Sequence, residues 1–408
     1  MVVINIKSKV LYLVYVIFSF MLLTNILAVE AQAEDYVITQ GYAHIFNNNI
    51  GVYTTVFALN KDVTLDTSTY FKFTLDSIGK WEGWGEGEDD DDEREGRDDD
   101  DDDGERVSRV ADAVSGASTA TSDNGSSSGS DTRKEFTAGF THNFNNIVGI
   151  EVFYDYSTEK DYISSTPSLT LKKELFEKNT TLTLSYSKNI DTVEGRFMTD
   201  SEDMDTDNYF FGITQVISPV TVAQFGYSRS NVKGQLANGT RLVPVDDTKM
   251  ADCVDKSPTC VNEVFPDLRV RDAVMFGINH YFMARSSIQT NLRYYTDNWG
   301  ISSHTEEITY YKYLTERALL RLNARYYDQT KADFVKDKYT NADTYKSSSS
   351  QLLRLDSQLF GIKLSYTLPG DFNFSWVDTG VIEGKYEFYT QSTDTNAGIF
   401  MVGLRLTF

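Results

Sequence analysis

Many short segments of this chain alternate strictly between apolar and polar residues. The segment Thr181-Leu-Thr-Leu-Ser-Tyr-Ser187 alternates without exception. Other segments place apolar or aromatic residues on one shared face, namely Val274–Phe282, Ile288–Tyr294, Leu320–Tyr326 and Phe360–Tyr366. A period of two indicates a β-strand with one apolar face. Each segment is close to the ~9–11 residues that a tilted strand needs to cross a bilayer.

The end of the chain repeats this pattern and finishes on an aromatic residue. Phe408, Leu406 and Leu404 share an apolar face, and Arg405 lies on the opposite, more polar face. A protein that ends on such a strand is typical of bacterial outer-membrane barrels, in which the last strand closes the barrel. We therefore predict that Phe408, Leu406 and Leu404 form the signal that the barrel-assembly machinery reads.

The start of the chain predicts export. Lys7 and Lys9 precede an apolar run over 10–23, and Ala31-Gln32-Ala33 follows as a cleavage site. These features predict a secretory signal peptide over residues 1–33 and a mature chain over residues 34–408. The alternative is an N-terminal membrane anchor. No later stretch reaches the ~18 consecutive apolar residues of a spanning helix, so the exported chain is expected to be periplasmic, secreted or an outer-membrane barrel.

The segments between the predicted strands fall into two length classes. Short turns are predicted at 145–146, 177–179, 218–219, 284–285, 315–316 and 369–371, and long polar loops at 77–133, 189–208, 230–270 and 329–352. Barrels alternate short periplasmic turns with longer outer loops. The predicted fold is all-β, a transmembrane antiparallel up-and-down β-barrel of about 16 strands, within a range of roughly 14 to 18. A large secreted β-sandwich is the alternative.

Composition agrees with a barrel. The chain has 25 Tyr and 25 Phe, yet only 40% of its residues are hydrophobic. A barrel needs apolar side chains only toward lipid and aromatic residues at the two interfaces, so its sequence is polar on average. The composition therefore favours an outer-membrane location.

Charge singles out one loop, because residues 82–105 account for most of the net charge of −22. We expect 77–133, acidic and then Ser/Gly-rich, to be a disordered outer loop. It is interpreted either as a solvated loop or as a weak binding site for Ca²⁺ or other divalent cations. The spacing of a specific calcium loop is missing, so neither a specific metal site nor a cofactor is predicted. The candidate cation ligands are Asp89, Asp90, Asp91, Asp92, Asp98, Asp99, Asp100, Asp101, Asp102 and Asp103.

The alternation also predicts which side chains face the lumen. They are polar and include many bases, and they are either space-filling groups paired with acids or selectivity groups of a water-filled passage that favours anions. A register error of one residue would exchange the two faces. The predicted lumen residues are Gln289, Asn291, Arg293, Arg321, Asn323, Arg325, Lys363 and Arg405.

Candidate chemistry is sparse. Cys253 and Cys260 lie in the predicted loop 230–270, and in an exported chain this pair predicts a disulfide that pins the loop. No G-x-S-x-G or comparable nucleophile motif is present, so we do not expect an enzyme. The alternative is an outer-membrane hydrolase.

Several stretches resemble an uncharacterised family of bacterial outer-membrane proteins, the domain of unknown function family 3570. The most specific stretch is Leu292-Arg-Tyr-Tyr-Thr-Asp-Asn-Trp-Gly-Ile-Ser-Ser-His-Thr305, and the other similar stretches are Asp112–Ser118, Phe265–Arg271 and Arg325–Gln329. The chain departs from the family pattern at Gly234–Thr240 and in the segment with the two cysteines. The resemblance implies an outer-membrane barrel with no established substrate.

The main stretch is interpreted as the end of a strand and a loop. Asp297 and Gly300 supply turn chemistry, Trp299 is expected at the outer membrane interface, and His304 and Thr305 are expected to begin the next strand.

The sequence thus predicts a porin-like barrel for passage or uptake of a small polar solute. One alternative is a structural or surface-interaction barrel whose acidic loop binds cations or partners. Another is a sheath for a separate redox partner, although no residue of this chain supports it. Expected partners are outer-membrane lipid and lipopolysaccharide, the barrel-assembly machinery and a small polar solute. No nucleic-acid partner is expected.

Overall fold

Sixteen antiparallel strands close into a barrel in the computed structural model. It describes residues 35–47, 50–80, 132–144, 148–237, 239–253, 256–283, 285–369, 377–393 and 395–408. The predicted signal peptide and the candidate cation ligands within 82–105 lie outside these residues. The predicted fold class and strand number are confirmed.

The barrel strands pair with their neighbours along the chain, except that β9 pairs with β12 across a long loop. That loop contains the small two-stranded sheet β10–β11. The strands are β1 (Tyr36–Phe46), β2 (Ile50–Thr64), β3 (Thr67–Lys80), β4 (Thr132–Phe144), β5 (Val148–Thr158), β6 (Tyr162–Leu175), β7 (Thr180–Val193), β8 (Glu202–Ser218), β9 (Thr221–Gly234), β10 (Leu242–Pro244), β11 (Cys260–Asn262), β12 (Leu268–Phe282), β13 (Ser286–Asp297), β14 (Ser302–Tyr313), β15 (Ala318–Gln329), β16 (Leu355–Thr367), β17 (Thr379–Gln391) and β18 (Thr395–Thr407).

Helical structure is minor in the described part of the chain. It consists there of two short 3₁₀ turns, Met250–Asp252 and Ser350–Leu352. No helix among the described residues is long and apolar enough to cross a membrane.

The first and last strands close the barrel, as the C-terminal pattern predicts. β1 and β18 pair along their whole length, from Tyr36 opposite Thr407 to Phe46 opposite Ala397. The backbone N–H of Phe408 donates to the carbonyl oxygen of Asp35 at 3.0 Å. Both ends of the barrel sequence therefore lie at one end of the barrel, which we call the turn end; the opposite end is the loop end.

Apolar side chains cover the outside of the barrel. Val402 and Phe360 are 67% and 57% exposed. Along the strands with an alternating sequence, such outward apolar residues alternate with inward polar ones. Tyrosines on the same face donate hydrogen bonds toward the loop end. Tyr186 reaches Asp207 at 2.8 Å and Tyr227 reaches Asp272 at 2.6 Å. Aromatic rings with a polar tip mark the edge of an apolar band that can contact lipid.

The connections correct part of the predicted loop pattern. The prediction of a long loop over 189–208 is wrong, because β7 continues to Val193 and β8 begins at Glu202. Acidic residues alternate there on strands that extend beyond the apolar band, where water replaces lipid. The other predicted long loops shorten to the connections 81–131, 235–267 and 330–354, all at the loop end. Connections 47–49, 159–161 and 392–394 at that end are short, and most of the predicted turn 369–371 at the turn end lies outside the described residues.

Residues 235–267 and 330–354 fold together at the loop end, and we call them the cap. They bury the inward-facing side chains at the ends of several strands, including Val232 (3% exposed) and Leu355 (8%). The inward side chain of Gln329 donates to the cap carbonyls of Gln351 and Leu353, at 2.8 and 2.7 Å. The cap therefore lies over the lumen on the β9–β16 side.

Candidate functional site

The predicted lumen residues all belong to the inward face of their strands. On β13, Leu292 and Tyr294 are 44% and 56% exposed toward the outside, so the residues of opposite parity face inward. Ile362 and Leu364 show the same for β16, at 48% each. Residues paired across neighbouring strands face the same side, so the register extends the inward assignment from β13 and β16 to the other strands. The inward residues include Gln289, Asn291, Arg293, Arg321, Asn323, Arg325, Lys363 and Arg405.

The lumen is too wide for its walls to meet. Sixteen strands spaced roughly 4.8 Å apart and tilted by about 40° give a backbone radius of about 16 Å. Two facing side chains cannot span such a diameter, and barrels of this strand number enclose water unless loops fill them. Water or loop residues must therefore occupy the centre, and among the described residues the cap is placed to do so.

Several inward charges pair with each other along the wall. Lys363 pairs with Glu383 at 2.8 Å, and Lys385 with Glu387 at 2.7 Å. Near the loop end Arg269 pairs with Asp297 at 2.6 Å. The charges of such pairs, within a strand or between neighbouring strands, neutralise each other and contribute little to a field across the lumen.

Five inward arginines form no ion pair with any residue of the described chain, namely Arg271, Arg293, Arg321, Arg325 and Arg405. Two of them lie over aromatic rings instead. The guanidinium carbon of Arg293 is 5.3 Å from the ring centre of Tyr295, and that of Arg405 is 4.6 Å from Tyr36. A cation–π contact orients a guanidinium but leaves its charge in place. These arginines can therefore act on a solute.

The charges are distributed unevenly around the ring. Bases outnumber acids among the inward residues of β12–β16, where four of the five unpaired arginines lie. Acids outnumber bases on β3–β7, half the ring away, where Asp76, Asp155 and Asp191 accept bonds from neighbouring hydroxyls. A basic wall facing an acidic wall produces a transverse field that low-dielectric surroundings focus.

The main family-like stretch forms a turn organised by Asp297, whose side chain is fully buried. One carboxylate oxygen accepts bonds from Trp299 N (3.0 Å) and Ile301 N (2.9 Å). The other accepts from Arg269 Nε (2.8 Å) and Nη2 (2.6 Å) and from Tyr295 Oη (2.7 Å). One buried carboxylate thus connects β12, β13 and the turn, and we call this group the clasp.

The clasp holds Trp299 beneath the cap. The expectation of an interface position for Trp299 is wrong, because its side chain is 4% exposed and packs against Phe265 and Phe334. Its indole N–H donates to the carbonyl oxygen of Leu268 at 3.0 Å, and the Arg269 guanidinium lies 4.4 Å from its ring centre. A buried loop lacks strand periodicity, so the sequence pattern could not distinguish the two positions.

The remaining motif residues surround this turn. Gly300 has a φ of +85°, and a Cβ there would lie 2.3 Å from the carboxyl group of Asp333. His304 and Thr305 lie near the start of β14, as expected, with His304 outward and Thr305 inward. The motif is therefore accounted for by turn geometry and packing.

The rest of the cap contains the predicted disulfide. Cys253 and Cys260 are bonded, with their Cα atoms 5.5 Å apart. Further along the cap, the Lys336 ammonium and the backbone N–H of Thr340 hold the pKa of Asp343 down to about 2. These local links rigidify the cap in addition to its apolar contacts.

Sequence reasoning missed part of the lumen surface. Arg269 and Arg271 belong to the inward face of β12, whose outward face was recognised from Val274 and Phe276. Continuing the alternation of β12 from Val274 back toward Leu268 would have placed both arginines on the inward face. The inward aromatic residue Phe210 was also missed, because it stands between Tyr209 and Phe211 and so breaks the alternation.

Comparison with known proteins identifies the family of the chain. A family model described as "Protein of unknown function (DUF3570)" matches residues 23–203 and 195–403. No curated protein matches the chain.

Solved structures that resemble it include a bacterial polysaccharide outer membrane secretin (TM-score 0.47, 7% identity, 93% of this chain and 100% of that chain). Another is the siderophore receptor PirA from Pseudomonas aeruginosa (TM-score 0.41, 8% identity, 93% of this chain and 81% of that chain). A third is OccAB3 from Acinetobacter baumannii (TM-score 0.42, 10% identity, 92% of this chain and 98% of that chain). Sequence identities this low assign no activity to this chain.

Proposed function

The chain belongs to the family described as "Protein of unknown function (DUF3570)", and on the geometry of its barrel we propose that it is a porin-like outer-membrane channel for small polar solutes. The turn end faces the periplasm and the loop end faces outward, since barrels of this type keep long loops outside. Lipid and lipopolysaccharide surround the apolar band.

The observation that carries this proposal is the set of inward arginines without ion pairs. Arg321 and Arg325 lie on β15 in the basic wall, eight and four residues before Gln329, which binds the cap. Burying unpaired charge is costly, so water is expected to solvate these side chains. A hydrated basic wall favours anions and orients dipolar solutes.

Single-channel conductance tests the proposal. The mature barrel is refolded and inserted in planar bilayers, and reversal potentials are measured in asymmetric KCl. We expect a steady open conductance with anion preference, which falls in Arg321→Ala/Arg325→Ala. Arg317→Ala is the matched control, because Arg317 is an exposed arginine in the turn between β14 and β15.

A second candidate function is favoured by the cap. Its buried apolar core covers one side of the lumen, which suits a closed structural or surface-interaction barrel. A barrel that migrates as folded on unheated gels but never conducts would contradict the channel and support this alternative.

A further inference from the structure

A recess in the lumen wall beneath the cap combines polar and aromatic groups. It has a volume of about 390 Å³ and is formed by β6–β9, β12 and β13. Its lumen-facing lining includes Ser187, Asn208, Ser230, Arg271 and Arg293. The first four lie at one level on successive strands, since pairing joins Ser187 to Asn208, Asn208 to Ser230 and Ser230 to Arg271.

The two arginines of the recess are available to a ligand. Neither forms an ion pair with a described residue, and the buried Nε of Arg271 has no hydrogen-bond partner. The nearest inward acid on this wall, Asp297, is occupied by Arg269. Among the described residues, positive charge therefore exceeds negative charge at the recess, and it lies on donors whose planar geometry suits a carboxylate or phosphate.

The floor of the recess is the ring of Phe210. A Cβ on Gly212 would lie 2.9 Å from this ring, and one on Gly226 would lie 3.1 Å from it. The ring therefore lies flat against two strands because both neighbours are glycines. A flat apolar face bordered by hydroxyl and amide groups complements a sugar ring, which presents C–H groups on its faces and hydroxyls on its rim.

We propose that this recess is a binding subsite for a hexose that carries one anionic group, a carboxylate or a phosphate. Phe210 supports the sugar face, the serine and asparagine row meets its hydroxyls, and Arg271 and Arg293 bind the anion. The inference rests on the proposed channel function and specifies its solute class.

The test measures binding and conduction separately. Saturation-transfer NMR on the refolded mature barrel is titrated with glucuronate, glucose 6-phosphate and neutral glucose, and the same solutes are tested as blockers of current. We expect one or both anionic sugars to bind at least tenfold more tightly than glucose. Arg271→Gln/Arg293→Gln should weaken this binding at least tenfold, and the turn variant Arg317→Gln should leave it unchanged.

Ser230→Asp provides a second variant that keeps both arginines. It places an acid directly opposite Arg271, so the arginine gains a partner and anionic sugars should no longer bind. The subsite would be overturned if glucose bound as tightly as the anionic sugars. It would also be overturned if both recess variants bound the anionic sugars as tightly as the unchanged protein. Conductance without sugar binding would reject the subsite alone, whereas binding without conductance would reject the channel and retain the subsite.

Discussion

Replacing Asp297 by asparagine should release the cap and leave the barrel closed. The carboxylate accepts bonds from five donors through its two oxygens. Asparagine has nearly the same shape but offers one oxygen and an NH₂ group. Whichever way the amide is turned, it directs its own donors at other donors.

The size of the effect follows from burial. The side chains of Asp297 and Arg269 are 0% and 14% exposed. Removing one charge of a buried pair costs roughly 3–5 kcal/mol. The cation–π contact with Trp299 remains, so we expect the lower end, about 3 kcal/mol, which corresponds to a roughly hundredfold rise in the open population of the cap.

Hydrogen exchange measures this opening. The amides of Trp299 and Ile301 donate to Asp297, that of Ala332 donates to Leu352 in the cap, and that of Asp333 donates to the carbonyl oxygen of Trp299. All four should lose about a hundredfold in protection. Amides of β5–β8 should keep theirs. Asp337→Asn, an exposed acid of the cap, is the matched control. Unchanged protection at 299–301, or an equal loss throughout the barrel, would refute the reasoning.

Further variants address packing, the disulfide and assembly. Gly361→Ala should destabilise the barrel by about 1–3 kcal/mol, because its Cβ would lie 2.2 Å from Asn323 Oδ1; Gly384→Ala, with open space around it, should leave the thermal unfolding midpoint within error. Cys253→Ser/Cys260→Ser should destabilise the closed loop by about 2.5 kcal/mol, seen as faster proteolysis at 253–260 in a barrel that still resists heating. Phe408→Ser should lower the amount of barrel in the outer membrane of cells without lowering refolding yield in detergent; equal losses in both would contradict an assembly signal.

The strands, and the side of the barrel to which each of their residues points, could be predicted because lipid and water impose a period of two. A residue such as Val402 must be apolar, and its neighbours Met401 and Gly403 are free of that constraint. Closure followed from the last strand, since a spanning sheet cannot leave an open edge in lipid. The lumen arginines followed from the same parity.

The cap and the recess could not be predicted in this way. Trp299 and Phe334 are buried by loops whose spacing follows no period, so their burial depends on contacts between distant segments. Phe210 depends on glycines on its own and a neighbouring strand, which only the register brings together. The prediction of a loop over 189–208 is wrong because most of these polar residues belong to strands that extend beyond the apolar band into water.

The positions of the family-like stretches separate two parts of the cap. Phe265–Arg271, Leu292–Thr305 and Arg325–Gln329 are distant in sequence, yet each contributes to the base of the cap, through Phe265, the clasp and Gln329 respectively. Gly234–Thr240, which departs from the family pattern, still contributes Leu236 to the base, whereas the segment with the two cysteines belongs to the other part. That part packs around Val243, Val245 and Tyr339. A base fixed by a buried carboxylate can hold the upper part of the cap in place above the lumen. The base of the cap is therefore where the family-like stretches meet, and the disulfide-linked part lies apart from them.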